Sequence, residues 1–322
     1  MIFKYLKINL LCCFLVLGCR ESNFKEKVID QTILNSNKDQ TKEFFYVAKN
    51  QERIDIYKYN FEKKNSKRFW TDIKEKVILL NYSPDNKNIY FITSKYYGIR
   101  STLPYIKRIK LYKIDLKTEK ISLIDTLING TQLNADWISN NAFQVVINVR
   151  DLQVSEYINK NTFVYNSVGK KLLSKTETIN FIKDGYPLPV IKEPVEKSFK
   201  DYELKIHKEN NDSLFIFNNQ TSESYFITNL NNYKLDEIFW NDENLIFTIM
   251  SKNKNLIIYS LNKKLIIKQI NNIKNFIVYG KYLVYDFNID LSSSISIFDL
   301  NNSEITDTIE TKNGCGLRNA FN

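Results

Sequence analysis

The chain has 322 residues, enough for two ordinary domains or one large all-β domain, and its 43 % apolar and 14 % aromatic content can build a core. Its four cysteines are Cys12, Cys13, Cys19 and Cys315, and it has one histidine, so a chain processed at Cys19 can form no internal disulfide and no cysteine-based metal cluster. The net charge of +10 suits anionic partners such as lipid head groups or cell-wall polymers, and equally suits Lys-rich codon use spread over solvated loops; nothing in it points to nucleic acid.

At the N-terminus, Lys4 and Lys7 form a positive segment and Ile8 to Leu17 a short apolar one. Ten residues cannot cross a hydrocarbon core that needs about 20. Leu15-Val16-Leu17-Gly18-Cys19 follows, and this resembles a bacterial lipobox. The resemblance implies cleavage after Gly18, a diacylglyceryl group on Cys19 and export to the cell envelope on a membrane anchor. Leu17 is bulkier than the usual residue there, and Cys12 and Cys13 are unusual in such a segment. On this basis residues 1–18 are a signal peptide, 19–43 a lipidated tether and 44–322 the folded domain. Val28 to Leu34 is an apolar patch in the tether that could start a first strand.

From Phe44 onward one unit recurs. An apolar strand ends in Asn or Asp, and a polar turn leads to the next strand. The marker falls at Tyr57-Lys-Tyr59-Asn60, Tyr112-Lys-Ile114-Asp115, Phe163-Val-Tyr165-Asn166, Phe215-Ile-Phe217-Asn218, Tyr259-Ser-Leu261-Asn262 and Ser296-Ile-Phe298-Asp299. Upstream of all but the first sits a second strand pair, the fourth being degenerate. No segment sustains an apolar stripe of helical period, so almost no helix is expected. Runs such as Leu256-Ile-Ile-Tyr259 do not alternate, as expected for strands covered on both faces. The rival architecture, a pair of β-sandwiches, accounts for the strands but not for the repeated marker.

The most regular copy runs from Val77 to Ile124. Its first turn, Ser83-Pro84-Asp85-Asn86-Lys87, resembles the Ser-Pro-Asp-Gly-Lys signature of TolB-like, WD-repeat-like propeller blades, with Asn86 in place of Gly. Asn also tolerates the positive φ such a turn requires. The resemblance implies an all-β, six-bladed β-propeller of four-stranded antiparallel blades, one for each marker. TolB-like proteins bind partners through one propeller face, but a shared fold does not transfer function.

Catalytic signatures are sparse. His207 stands alone beside Ile206, and no Gly-x-Ser-x-Gly elbow supplies a nucleophile for it, so it reads as a surface or packed residue. No spacing suits zinc, no Gly-rich loop suits a phosphate, and no cofactor motif is present. Asn241-Asp242-Glu243-Asn244 is acidic but occupies a hairpin-turn position. Three segments look like long loops opening on one face: Ser94 to Arg108, Arg150 to Asn161 and Lys175 to Lys197. They contain Pro104, Pro187, Pro189 and Pro194, and they carry the candidate binding residues Tyr96, Tyr97, Arg100, Tyr105, Arg108, Arg150, Asp151, Tyr157 and Tyr186. Tyr and Arg are enriched at binding hot spots, and Pro lowers the cost of ordering a loop. The expectation is a monomeric, non-enzymatic binding or scaffolding module for an envelope protein or polymer. The alternatives are a propeller enzyme of lyase, lactonase or sugar dehydrogenase type, and a small-ligand sensor.

Overall fold

Where the sequence alternates apolar run and polar turn, the chain forms one antiparallel hairpin after another. The computed structural model describes residues 42–50, 53–100, 103–150, 156–180, 183, 198–207, 212–231, 233–287, 292–312 and 315–317, and every named element among them is a strand. The expected signal peptide, Cys19 and the Val28–Leu34 patch lie outside the described residues. A first sheet has three strands, β1 (Glu43–Asn50), β2 (Arg53–Asn60) and β3 (Asn65–Trp70). The second contains β4 (Lys76–Tyr82), β5 (Asn88–Arg100), β6 (Leu103–Asp115) and β7 (Ile121–Leu127). The third contains β8 (Gln132–Ser139), β9 (Ala142–Arg150), β10 (Tyr157–Asn166) and β11 (Lys171–Asn180). The fourth contains β12 (Ser198–Phe199), β13 (Tyr202–His207), β14 (Ser213–Asn218) and β15 (Glu223–Asn229). The last has seven strands: β16 (Lys234–Trp240), β17 (Asn244–Met250), β18 (Lys254–Ser260), β19 (Leu265–Tyr279), β20 (Tyr282–Phe287), β21 (Ser292–Asp299) and β22 (Glu304–Lys312). All pairings are antiparallel between sequence neighbours, and successive four-stranded meanders of this kind are a β-propeller architecture.

The sheets number five among the described residues, where the markers predict six. The reason is β19. Its first half pairs with β18 and its second half with β20, the two ladders meeting at Ile273. No turn separates the halves. Asn272 takes a left-handed φ of 61° and donates its N–H to Asn255 Oδ1 (3.2 Å), so the strand kinks without breaking.

The marker residue has a physical role: it holds a turn. Asp115 Oδ1 accepts the backbone N–H groups of Lys117 and Thr118, Asn218 Oδ1 those of Gln220 and Thr221, and Asp299 Oδ1 those of Asn301 and Asn302. Asn60 does the same for Glu62 and Lys63. These are Asx turns, in which a short side chain replaces a backbone acceptor. Four residues after the marker the chain passes through positive φ, at Lys64, Glu119, Ser222, Lys264 and Ser303. The fifth turn begins at Ser260, whose Oγ accepts the Lys263 N–H, and not at Asn262, two residues later. The residue after each of five markers also donates its N–H to the other hairpin end. Phe61 bonds Lys42 O, Leu116 bonds Lys87 O, Asn219 bonds Asp201 O, Leu261 bonds Glu243 O and Leu300 bonds Lys281 O.

The Ser83–Lys87 turn forms as its sequence implies. Asn86 has φ 52°, Asp85 Oδ1 accepts the Lys87 N–H, and Ser83 Oγ accepts the Asn88 N–H. Asn241 caps its own turn through the N–H groups of Glu243 and Asn244.

Apolar side chains from facing sheets fill the spaces between them. Phe44, Ile56, Leu80, Phe91, Val284, Ile297 and Leu317 belong to one buried cluster, so the first sheet shares a core with both the second and the last. Tyr90, Trp137 and Phe143 join the second sheet to the third; Leu214, Ile216, Phe247 and Tyr259 join the fourth to the last. Each large side chain buried there contributes on the order of 1.5–3 kcal/mol. The C-terminal segment completes the seam. Val47 donates its N–H to Gly316 O (2.9 Å), and Leu317 donates its N–H to Asp286 Oδ2 (2.8 Å).

Candidate binding site

Ser94 to Arg108 is not a loop. β5 and β6 stay paired to Arg100↔Leu103, so the segment is a two-stranded ribbon extending the second sheet. Tyr and Ile favour extended backbone here. Of Arg150 to Asn161, β9 takes Arg150 and β10 takes Tyr157 to Asn161, while 151–155 lie outside the described residues. Lys175 to Asn180 is the end of β11, and most of 181–197 lies outside the described residues.

The ribbon is anchored at its base. Glu75 is buried and accepts the Thr93 hydroxyl (2.7 Å) and, more weakly, the Tyr112 hydroxyl (3.4 Å), and it pairs with Lys110. The hydrogen bond to Glu75 holds the Lys110 ammonium above the usual lysine range. Ser94 Oγ reaches the carbonyls of Tyr96 (2.7 Å) and Lys107 (2.8 Å), tying the two strands together above Glu75. On the outer edge Ile106 exchanges both backbone bonds with Gly130. Gly130 has no room for a side chain, because an added Cβ would come within 2.3 Å of Ile147 Cγ2.

Within the ribbon Tyr96 stands opposite Lys107, and Gly98 opposite Tyr105. Strand alternation alone would turn Lys95 and Arg108 to the other face. Arg108, however, adopts φ 54° and gives its N–H to Asn129 Oδ1 (2.8 Å), which breaks the alternation. Lys95, Tyr96, Tyr105, Lys107 and Arg108 consequently line one cleft of about 340 Å³. The Lys107 ammonium lies 4.8 Å from the Tyr105 ring centroid, a cation–π contact. No carboxylate pairs with Lys95, Lys107 or Arg108 among the described residues. Elsewhere basic side chains are spent on carboxylates: Arg68 lies 3.3 Å from buried Asp55, and Lys254 lies 2.6 Å from Asp236.

Three of the nine sequence candidates, Tyr96, Tyr105 and Arg108, therefore meet in the cleft. Tyr97 pairs with Ile106 and Arg100 with Leu103 toward the ribbon tip. Arg150 and exposed Tyr157 sit on the β9–β10 hairpin and do not line the cleft; Asp151 and Tyr186 lie outside the described residues. Lys95 and Lys107 are additions that the Tyr/Arg criterion missed. Their signal was available: both are cations beside tyrosines in one hairpin. His207 is exposed at the end of β13, with its ring edge-on to Phe215 at 4.9 Å. Among the described residues no three His, Cys, Asp or Glu side chains group as a metal site.

No protein-family profile and no curated protein matches the sequence significantly. Solved structures are similar to it at low identity. A prolyl endopeptidase is 11 % identical, with a TM-score of 0.42 over 84 % of this chain and 48 % of its own. TolB from Acinetobacter baumannii is 11 % identical, with a TM-score of 0.40 over 86 % of this chain and 65 % of its own. The β-propeller domain of the Trilobed protease from Pyrococcus furiosus is 14 % identical, with a TM-score of 0.34 over 84 % of this chain and 77 % of its own. The chain thus spans about half of the endopeptidase and less than two thirds of TolB; its own described strands form five antiparallel sheets, of three, four, four, four and seven strands.

Proposed function

We propose that this chain is a six-bladed β-propeller lipoprotein that serves as a non-catalytic binding module at the bacterial cell envelope. Six blades follow if the seven-stranded sheet is counted as two meanders sharing β19, and the six recurrent turns support that count. In the first blade β1 to β3 are the outer three strands, and the Cys315–Leu317 segment supplies part of the missing inner edge through Gly316. A membrane tether through Cys19 brings the domain to its partner, an envelope protein or polymer.

The observation that carries the binding role is the ribbon. A hairpin extended beyond its sheet, braced at Glu75, Ser94 and Gly130, presents tyrosines, and cations that no carboxylate pairs among the described residues, on a stiff support. Preorganisation of this kind reduces the ordering cost of association. The test is recovery of partners from envelope membranes with wild type and with Tyr96→Ala/Tyr105→Ala, both verified as folded by thermal melt. Reduced recovery with the variant supports the ribbon as the binding surface; equal recovery removes the role from it. Membrane fractionation of Cys19→Ser tests the anchor separately, with release from the membrane or an uncleaved precursor expected.

A further inference from the structure

We infer that the ribbon cleft is an anion site for a phosphate-bearing ligand. The inference rests on the ribbon being the binding surface and names what it takes. Three cations, Lys95, Lys107 and Arg108, converge on one cleft, and no carboxylate neutralises them among the described residues. Carboxylates do lie near the ribbon base, but Glu75 is committed to Lys110 and Thr93. The cations are exposed, so they reach a ligand from solvent without a desolvation penalty paid in advance.

The backbone of the cleft is set before a ligand arrives. Arg108 is held by its left-handed backbone and by Asn129, and Lys107 by its carbonyl on Ser94 Oγ and its ammonium over Tyr105. A phosphate carries two or more oxygens able to accept several charge-assisted hydrogen bonds at once; an Arg fork and two ammonium groups match that demand. Tyr96 and Tyr105 line the cleft beside the cations, and aromatic side chains there suit a phosphate attached to a sugar or glycerol unit rather than a bare ion. Two sources share this chemistry, a phospholipid head group and a phosphate-linked soluble polymer.

The experiment uses the full chain carrying Cys19→Ser, so that no acyl group is present, and every variant carries the same N-terminal segment, so that only a difference between variants is assigned to the cleft. Inorganic polyphosphate is titrated in solution, and sedimentation is measured with vesicles of phosphatidylcholine alone and of phosphatidylcholine with phosphatidylglycerol. Saturable binding of polyphosphate or selective binding to the phosphatidylglycerol vesicles is expected, and whichever arm responds identifies the source. Lys107→Glu/Arg108→Glu should weaken that binding at least about tenfold, the equivalent of one charge-assisted hydrogen bond. Lys107→Gln/Arg108→Gln is the milder pair if charge reversal impairs folding, and it should also weaken binding. Lys268→Glu, far along the chain on β19, makes the same change in net charge as Lys107→Gln/Arg108→Gln and is its control. Binding in neither arm, or equal weakening by Lys268→Glu and by the cleft variants, overturns the inference. A partner recovered through the ribbon with no phosphate binding would leave the binding role standing and remove only the phosphate assignment.

Discussion

The Tyr59 hydroxyl of β2 donates a hydrogen bond to Asp307 of β22, joining the first sheet to the last. Tyr165 of β10 makes the same bond to Asp125 of β7 (2.6 Å), joining the third sheet to the second. Each tyrosine immediately precedes a turn marker, and each aspartate begins an Asp-Thr pair whose Thr N–H returns to the Asp Oδ1. Burial pushes both phenols well above their usual range, and the carboxylate partner adds to that, so the tyrosines remain neutral donors. The first and last sheets therefore meet through the same kind of contact that joins the second and third.

Tyr59→Phe and Tyr165→Phe should each cost about 1.5–3 kcal/mol, the range for a hydrogen bond to a charged group. The expected result in urea titrations is a similar loss for both. A much smaller loss for Tyr59→Phe would mean that the first and last sheets contribute little to each other's stability.

Two carboxylates should respond to pH in opposite senses. Burial raises Asp125, but hydrogen bonds from Lys171 and Tyr165 outweigh it and leave the carboxyl below its usual range. Its contribution is present above the unfolded value of about 3.9 and is lost as pH falls through the lower folded value. Asp286 is raised by burial, despite the N–H groups of Leu317 and Asn275 and the charge of Lys274. Its contribution is full below the unfolded value and is lost as pH rises through the folded one. Urea midpoints followed from acid to neutral pH should show a shallower acid loss for Asp125→Asn than for wild type. Asp286→Asn should remove a loss on the rising side.

Gly316→Ala should detach the C-terminal segment. The added Cβ would stand 2.1 Å from Asp286 Oδ2, beside the Leu317 N–H bond and the Val47–Gly316 bond. A buried backbone and a buried carboxylate cannot both yield cheaply, and about 1–3 kcal/mol of stability should be lost. Carboxypeptidase digestion followed by intact mass is the direct check: trimming past Leu317 is expected in the variant and resistance in wild type.

Asp299→Ala should cost about 1 kcal/mol, because two turn N–H groups lose their acceptor and must turn to water. Asn302→Ala, in the same turn but with no cap to lose, is the comparison. Thermal melts that place the two variants together would show that the marker is compositional rather than structural.

Much of the architecture was legible because a capped turn needs particular side chains. Asn60, Asp115, Asn166, Asn218 and Asp299 were readable as markers before any coordinates. The fifth was misplaced by two residues because Ser260 caps as well as Asn does, and the eye falls on Asn262. The shared strand was hidden because Gln269 to Asn275 carries no Gly or Pro to announce that one ladder ends and another begins. The ribbon reads as a loop because its polar and charged residues look solvated, as Lys95, Tyr96, Lys107 and Arg108 are; sequence alone does not display that the two segments pair. The cleft itself depends on the backbone of Arg108, and a left-handed arginine leaves no mark in the sequence.

β19 imposes a coupling on the last third of the molecule. A strand that belongs to two meanders cannot leave one ladder without straining the other, since its halves share Ile273. Residues 234–312 should therefore behave as one cooperative block, with the slow-exchanging amides of β17 and those of β20 opening in the same event. The second and third sheets share no strand, so they are free to open one at a time. Force applied at the C-terminus would then be resisted by two meanders acting together rather than by the outermost one.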